Sequence, residues 1–205
     1  YGNDPSTEFV AWNFRAAPGF FDIVTWTTGN VDVTVDHNLG SIPAFVIYKT
    51  LDQTQDWYCY HKELPTPNEN WIRLNNNGGA NGPIRQPLWD LTETTFNSPD
   101  YLFLRNNNYI AYLFADTPGL IKCSKYPGNG GTQTIDCGFQ PGWVMIRNTN
   151  SDNWIIFDDK RGSNALYANN SNKDDPSADK FSALTTSGFI VQGGNGATNA
   201  VSYTH

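Results

Sequence analysis

Acid–base, nucleophilic or metal chemistry in this chain would have to be built from three histidines, His37, His61 and His205, three cysteines, and the acid pairs Asp158-Asp159 and Asp174-Asp175. A hydrolytic triad needs a nucleophile, a base and an orienting carboxylate in one place. No Gly-x-Ser-x-Gly elbow frames a serine here. Calcium takes several oxygen ligands, and neither acid pair has the spaced aspartates of an EF-hand loop. Neighbours on a strand point to opposite faces, which argues against Asp158 and Asp159 acting together, and Asp174-Asp175 reads as a solvated loop. Cys59, Cys123 and Cys137 are odd in number and lack the CxxC spacing of a zinc site. They predict reduced thiols in a chain folded in a cytosol. Asn169-Asn170-Ser171 is a formal glycosylation sequon, meaningful only in a eukaryotic secretory setting. The expectation is a protein with no catalytic residue, no metal site and no cofactor.

Binding is easier to place. The run Asn75-Asn76-Asn77-Gly78-Gly79-Ala80-Asn81-Gly82-Pro83 is rich in amides and flanked by Trp71 and Trp89. Sugars are held by aromatic faces together with planar hydrogen-bonding groups, and loops on a rigid scaffold commonly carry binding. Trp71, Asn75, Asn76, Asn77 and Trp89 are therefore the candidate glycan-binding residues.

The elements that would position them come from an internal repeat. Phe9-Val10-Ala11-Trp12-Asn13-Phe14 aligns with Tyr109-Ile110-Ala111-Tyr112-Leu113-Phe114, and the same register carries Pro18-Gly19 onto Pro118-Gly119. Further on, Pro43-Ala44-Phe45-Val46-Ile47-Tyr48 aligns with Pro141-Gly142-Trp143-Val144-Met145-Ile146, and Asp56-Trp57 with Asn153-Trp154. A period near one hundred residues is the size of a domain, well beyond a solenoid repeat of about 20–50. The expected division is residues 1–19 as the closing strand and linker of a preceding repeat, 20–119 as repeat 1, and 120–205 as repeat 2 without its full last strand. That phase predicts an excerpt from a longer protein with more than two copies.

Short runs rich in Val, Ile, Tyr, Phe and Trp, bounded by Gly, Pro, Asn and Asp, read as strands. They predict strands at Val31–Val35, Ala44–Lys49, Trp57–His61, Trp71–Leu74, Tyr101–Leu104 and Tyr109–Phe114, then at Thr132–Ile135, Trp143–Arg147, Trp154–Asp158, Ala165–Ala168, Phe189–Gln192 and from Ala200. The fold class predicted is all-β, two tandem antiparallel β-sandwiches of about 100 residues each, jelly-roll or concanavalin-like. Phe45–Tyr48 and Trp143–Ile146 suit central strands covered on both faces. Alternation in Trp57–His61 predicts one half-wet face, with Trp57 and Trp154 as packing anchors.

The net charge of −7 is acidic, with basic residues scattered singly. Nucleic-acid binding needs a clustered basic surface, so DNA and RNA are excluded as partners, as is an anionic membrane surface. No apolar run reaches the roughly 20 residues that span a bilayer.

Trp12 through Trp26, His37 through Lys49, Asp56-Trp57 through His61-Lys62 and Tyr109–Ala115, with Tyr126-Pro127-Gly128-Asn129-Gly130, Gly138–Arg147 and Phe157–Gly162 in the second copy, resemble a repeat family of bacteriophage virion proteins, especially of marine and cyanobacterial phages. That resemblance implies a tail-fibre, tail-associated or capsid-decorating protein with a SPRY- or concanavalin-like sandwich, located in the virion and folded in the host cytoplasm. It implies other virion proteins and host surface glycan as partners, a homo-oligomer such as a trimer, and no catalytic residues. The alternative reading is a carbohydrate-binding module of a secreted bacterial protein.

Overall fold

The computed structural model describes residues 10–65, 70–80, 90–100, 104–162, 164–171, 181–201 and 204–205. Its strands are β1 (Phe21–Thr27), β2 (Val33–Asp36), β3 (Phe45–Thr50), β4 (Tyr58–His61), β5 (Ile72–Arg73), β6 (Thr95–Ser98), β7 (Asn108–Phe114), β8 (Gln133–Asp136), β9 (Trp143–Ile146), β10 (Ile155–Asp158), β11 (Leu166–Tyr167), β12 (Phe181–Leu184) and β13 (Gly188–Val191). All pairings are antiparallel, so the fold is all-β, as the strand signals predict. A five-stranded sheet runs β1-β7-β3-β4-β5 and a two-stranded one β2-β6. Three-stranded sheets β11-β10-β9 and β12-β13-β8 follow.

The side-chain period of two decides what covers what. One face of the five-stranded sheet presents Trp26, Tyr109, Ala111, Leu113, Val46, Tyr48 and Tyr60, and these pack with Val35 of β2 and Phe96 of β6. Trp26 stands edge-on to Phe96 at 5.3 Å, and its indole nitrogen donates to Ser98 Oγ at 2.9 Å, which satisfies the only polar atom the ring buries. In the second half Val144, Ile146, Ile155 and Phe157 pack with Ile135, Phe181, Phe189 and Val191, with Phe157 stacked on Phe181 at 4.0 Å.

A third cluster lies between these two. Phe45, Ile47, Cys59 and Ile72, on the other face of the five-stranded sheet, pack against Met145, Trp154 and Ala168 of the second half. The molecule is thus four layers deep, β2-β6, the five-stranded sheet, β11-β10-β9 and β12-β13-β8, and the two inner sheets pack on each other through β3, β4, β9 and β10. Phe45–Tyr48 and Trp143–Ile146 are covered on both faces, Val46, Tyr48, Val144 and Ile146 buried and the residues between them half-buried, which agrees with their apolar sequence. The half-wet face expected for β4 is met in part: Trp57 and His61 are half-buried, while Cys59 between them is fully buried because the second half sits on it.

The two halves repeat each other's pairings. Phe45 faces His61 and Ile47 faces Cys59; correspondingly Trp143 faces Asp158 and Met145 faces Ile156. Val35 faces Phe96 as Ile135 faces Phe189. β1, β6 and β12 were not among the expected strands; β6 is Thr-Phe-Asn-Ser, whose single apolar residue gives no alternation to read, and most of the expected strand Tyr101–Leu104 lies outside the described residues.

Trp154 is 4% exposed at the centre of the shared cluster, and its indole nitrogen donates to Arg73 O at 2.7 Å. Trp154→Ala is expected to lower the free energy of unfolding by about 3–5 kcal/mol in urea titrations; a loss under about 1 kcal/mol would mean the halves do not depend on that ring.

Candidate functional site

The amide-rich loop is built as a joint. Asn75 Oδ1 accepts from Trp57 N at 3.0 Å while its Nδ2 donates to Asp56 Oδ1 at 2.8 Å. Asn169 does the same in the second half, accepting from Trp154 N and donating to Asn153 Oδ1, each at 2.8 Å. Asn76 Oδ1 closes a turn on Gly78 N at 2.9 Å. Asn77 O accepts from Asp152 N at 3.0 Å, and Ala80 N donates to Thr149 O at 2.8 Å, so this stretch lies strand-like against residues 149–152. The Arg147 guanidinium donates to Gly78 O across the same seam. A Cβ on Gly79 would stand 1.7 Å from Asn150 O, so only glycine allows this approach. Trp71 is half-buried against the first core. Of the five expected binding residues, Asn75, Asn76 and Asn77 thus serve backbone geometry, Trp71 serves packing, and Trp89 lies outside the described residues.

Asn75 nevertheless leads to an exposed aromatic surface, because it fixes the backbone of Trp57. Among the described residues β9-β10-β11 packs on the β3-β4-β5 side of the five-stranded sheet; on the β1-β7 side Phe14 covers Phe21 and Phe114, while Ile23 and Thr25 are exposed. In register there, Ile23 faces Tyr112 and Tyr112 faces Ile47, while Thr25 faces Ile110 and Ile110 faces Lys49. Trp57 extends β4 by one residue and reaches back over this side. Its ring lies 6.4 Å from that of Tyr112 with 24° between planes, and Tyr112 lies 6.4 Å from Phe21 at 13°. Lys49 Nζ sits 5.7 Å from the Trp57 ring centroid, tethered by a 2.7 Å bond to Gln55 O. Both Trp57 and Tyr112 are half-buried, and Ile23 is 44% exposed. At the rim, Thr27 Oγ1 donates to Asn108 Oδ1 at 2.8 Å and Asn108 N donates to Asp52.

The result is a flat shelf of near-parallel rings with a polar border. Lys49, Thr25, Thr27, Asn108 and Asp52 stand at its border. The packing-anchor reading therefore holds for Trp154 and is corrected for Trp57. The sequence carries no local sign of the shelf, since it draws on β1, β3, β7 and the residue before β4.

The titratable groups act structurally. Asp158 Oδ1 caps the turn through Lys160 N and Arg161 N, both at 3.0 Å, and its Oδ2 accepts from Arg161 Nε at 2.8 Å. Burial opposes its charge, but these bonds outweigh it and hold the carboxyl below its usual range. Asp159 instead pairs with Lys160, so the adjacent aspartates diverge. All three cysteines are free thiols, and burial pushes Cys123 up to about 12. Asp174-Asp175 lies outside the described residues. Among the described residues no group of three His, Cys, Asp or Glu side chains could hold a metal ion, and no helix is long and apolar enough to cross a membrane.

His61 is the strand-end residue its position suggests, its Nδ1 accepting from Glu63 N at 3.1 Å. Burial pushes its pKa down to about 4, with Glu63 pulling weakly the other way. The unfolded chain takes up this proton near pH 6.5, so the unfolded state binds more protons between the two values. Stability is then full above about pH 6.5 and falls as pH drops towards about 4. Urea midpoints should decline across that window, and His61→Gln should shallow the decline without abolishing it, since burial also lowers His37 and His205. A slope unchanged by the substitution would remove His61 as its source.

Residues 3–205 match the model of one protein family, described as a domain of unknown function, DUF7483. No curated protein and no solved structure matches the chain. With both halves and the segment before β1 inside one family match, the chain belongs to the DUF7483 family.

Proposed function

We propose that this chain is a non-enzymatic recognition module that binds surface glycan on the Trp57–Tyr112 shelf. The observation that carries the reading is the pair of half-exposed, near-parallel rings on a partly exposed sheet face with polar groups at its border. A pyranose has an apolar face of C–H groups and an equatorial ring of hydroxyls, which is the complement of that surface. Binding sites commonly combine aromatic walls with a few placed polar groups.

The resemblance to bacteriophage virion repeats supplies the setting. In that setting the module is part of a tail fibre or another surface-exposed virion component, contributes to host attachment, and works beside other virion proteins in a homo-oligomer. Two tandem copies of one sandwich, divided near residue 119, fit a bead in such a fibre, and the recurring strand register supports that duplication. The carbohydrate-binding module of a secreted bacterial protein uses the same shelf and differs in what the module is attached to.

Glycan-array and whole-cell binding with Trp57→Ala and Tyr112→Ala tests this. Each is expected to lower binding at least about tenfold, equivalent to about 1.4 kcal/mol, while Trp71→Ala leaves affinity unchanged in the fraction that folds. Binding that survives both shelf substitutions sinks the shelf, and no binding by folded wild type sinks recognition.

A further inference from the structure

The repeat sets a cation over a tryptophan in each half. Lys49 aligns with Arg147 and Trp57 with Trp154. The Arg147 guanidinium lies 5.6 Å from the centroid of the Trp154 ring, and Lys49 Nζ lies 5.7 Å from that of Trp57. A cation held over an indole face is attracted by the ring, yet its N–H groups still call for oxygen acceptors.

In the second half the protein supplies them. Arg147 is buried in the seam, its guanidinium donates to Gly78 O of the first half, and Asp152 is the acid that offsets its burial. In the first half Gln55 stands where Asp152 stands, two residues before the tryptophan, and gives Lys49 only its backbone oxygen, at 2.7 Å. Lys62, Arg73, Arg105, Lys125, Lys160 and Arg161 each pair with an aspartate or glutamate, whereas among the described residues no carboxylate pairs with Lys49. Lys49 also faces the shelf. Thr25, Ile110 and Lys49 form one row across β1, β7 and β3, next to the row of Ile23, Tyr112 and Ile47.

The acids nearest the shelf are engaged by other groups. Asp56 Oδ2 accepts from Arg73 Nε and its Oδ1 from Asn75 Nδ2, each at 2.8 Å. Asp52 accepts from Asn108 N and, at 3.4 Å, from Asn108 Nδ2. Asn108 is two residues from Ile110 along β7, about 7 Å, so Asp52 and Lys49 hold separate stretches of the border.

Given glycan binding on the shelf, on which this rests, we infer that the shelf selects acidic glycans and that Lys49 takes the anionic group of the sugar stacked on Trp57. The place that Asp152 fills beside Arg147 is left in the first half for a charge brought by the ligand. A bond from an ammonium to an anion is shorter and stronger than one to a hydroxyl. Lysine is a compact charge on a flexible stem and does not demand planar two-point geometry, so a carboxylate and a sulfate are both suitable. Asp52 repels an anion at its own end of the border, which orients the acidic group towards Trp57.

Matched pairs on a glycan array test this: uronic-acid oligosaccharides against the same chains with their carboxyls reduced to alcohols, and sulfated oligosaccharides against their desulfated forms. Wild type is expected to bind the acidic member of at least one pair about threefold or more tightly, and the preference should shrink as salt rises. Lys49→Gln should remove the preference and Lys49→Arg should keep it. Which pair shows it tells carboxylate from sulfate. Equal binding of acidic and neutral members by wild type, or a preference that persists in Lys49→Gln, would overturn the assignment; the shelf itself still stands if Trp57→Ala weakens both members alike. Binding of both members that survives Trp57→Ala removes the shelf, and the role of Lys49 with it.

Discussion

The fold depends on the apolar back face of β3 and β4. Phe45, Ile47 and Cys59 alternate with Val46, Tyr48 and Tyr60, so neither face of these strands tolerates water, and each needs its own partner layer. The first face is served locally by β2 and β6. The second has no local partner, and the equivalent face of β9 and β10, with Met145 and Trp154, has none either. Packing one against the other removes both surfaces at once, at about 25 cal/mol per Å² of apolar area buried. The four-layer order follows from that single requirement.

The seam that results constrains chemistry elsewhere. Arg147 is buried there over the Trp154 ring at 5.6 Å, and desolvation lowers its pKa to about 10, still charged at neutral pH, with Asp152 opposing the shift. Its bond to Gly78 O and the glycine at position 79 tie the amide-rich loop to residues 149–152. A loop whose composition suggests freedom is thereby spent on alignment of the two halves. Asn75 and Asn169, identical in role, show that the amides are part of the repeat and not of a specificity region added to one copy.

Much of this was legible in the sequence because period-two alternation is local. β3, β4, β7, β9 and β10 fall within a residue or two of where Val, Ile, Tyr, Phe and Trp place them, and the repeat offset anticipates the matching registers. The shelf was not legible, since Trp57 and Trp154 occupy equivalent positions after equivalent residues and differ only in what lies opposite. Trp154 meets the back of the first sheet; Trp57 reaches over Tyr112 on the β1-β7 side. That distinction is set by what packs on each strand from a distant layer, which no local pattern encodes. β6 escaped for the opposite reason: its partner β2 and the buried Phe96 make it a strand, while Thr95, Asn97 and Ser98 give it no pattern of its own.

The two halves share strand registers but differ in what lies opposite each inner sheet. Two copies with identical sheets, packed back to back, would cover or expose equivalent rings equally. Among the described residues the first sheet has β1 and β7 beside β3, and β9 pairs with β10. The β1-β7 side of the first sheet is the face that carries Ile23, Tyr112 and Trp57. On that same face Phe21 is buried against Phe114 at 4.9 Å, while Ile23 beside it is 44% exposed. The shelf and the seam that holds the halves together therefore share no residue.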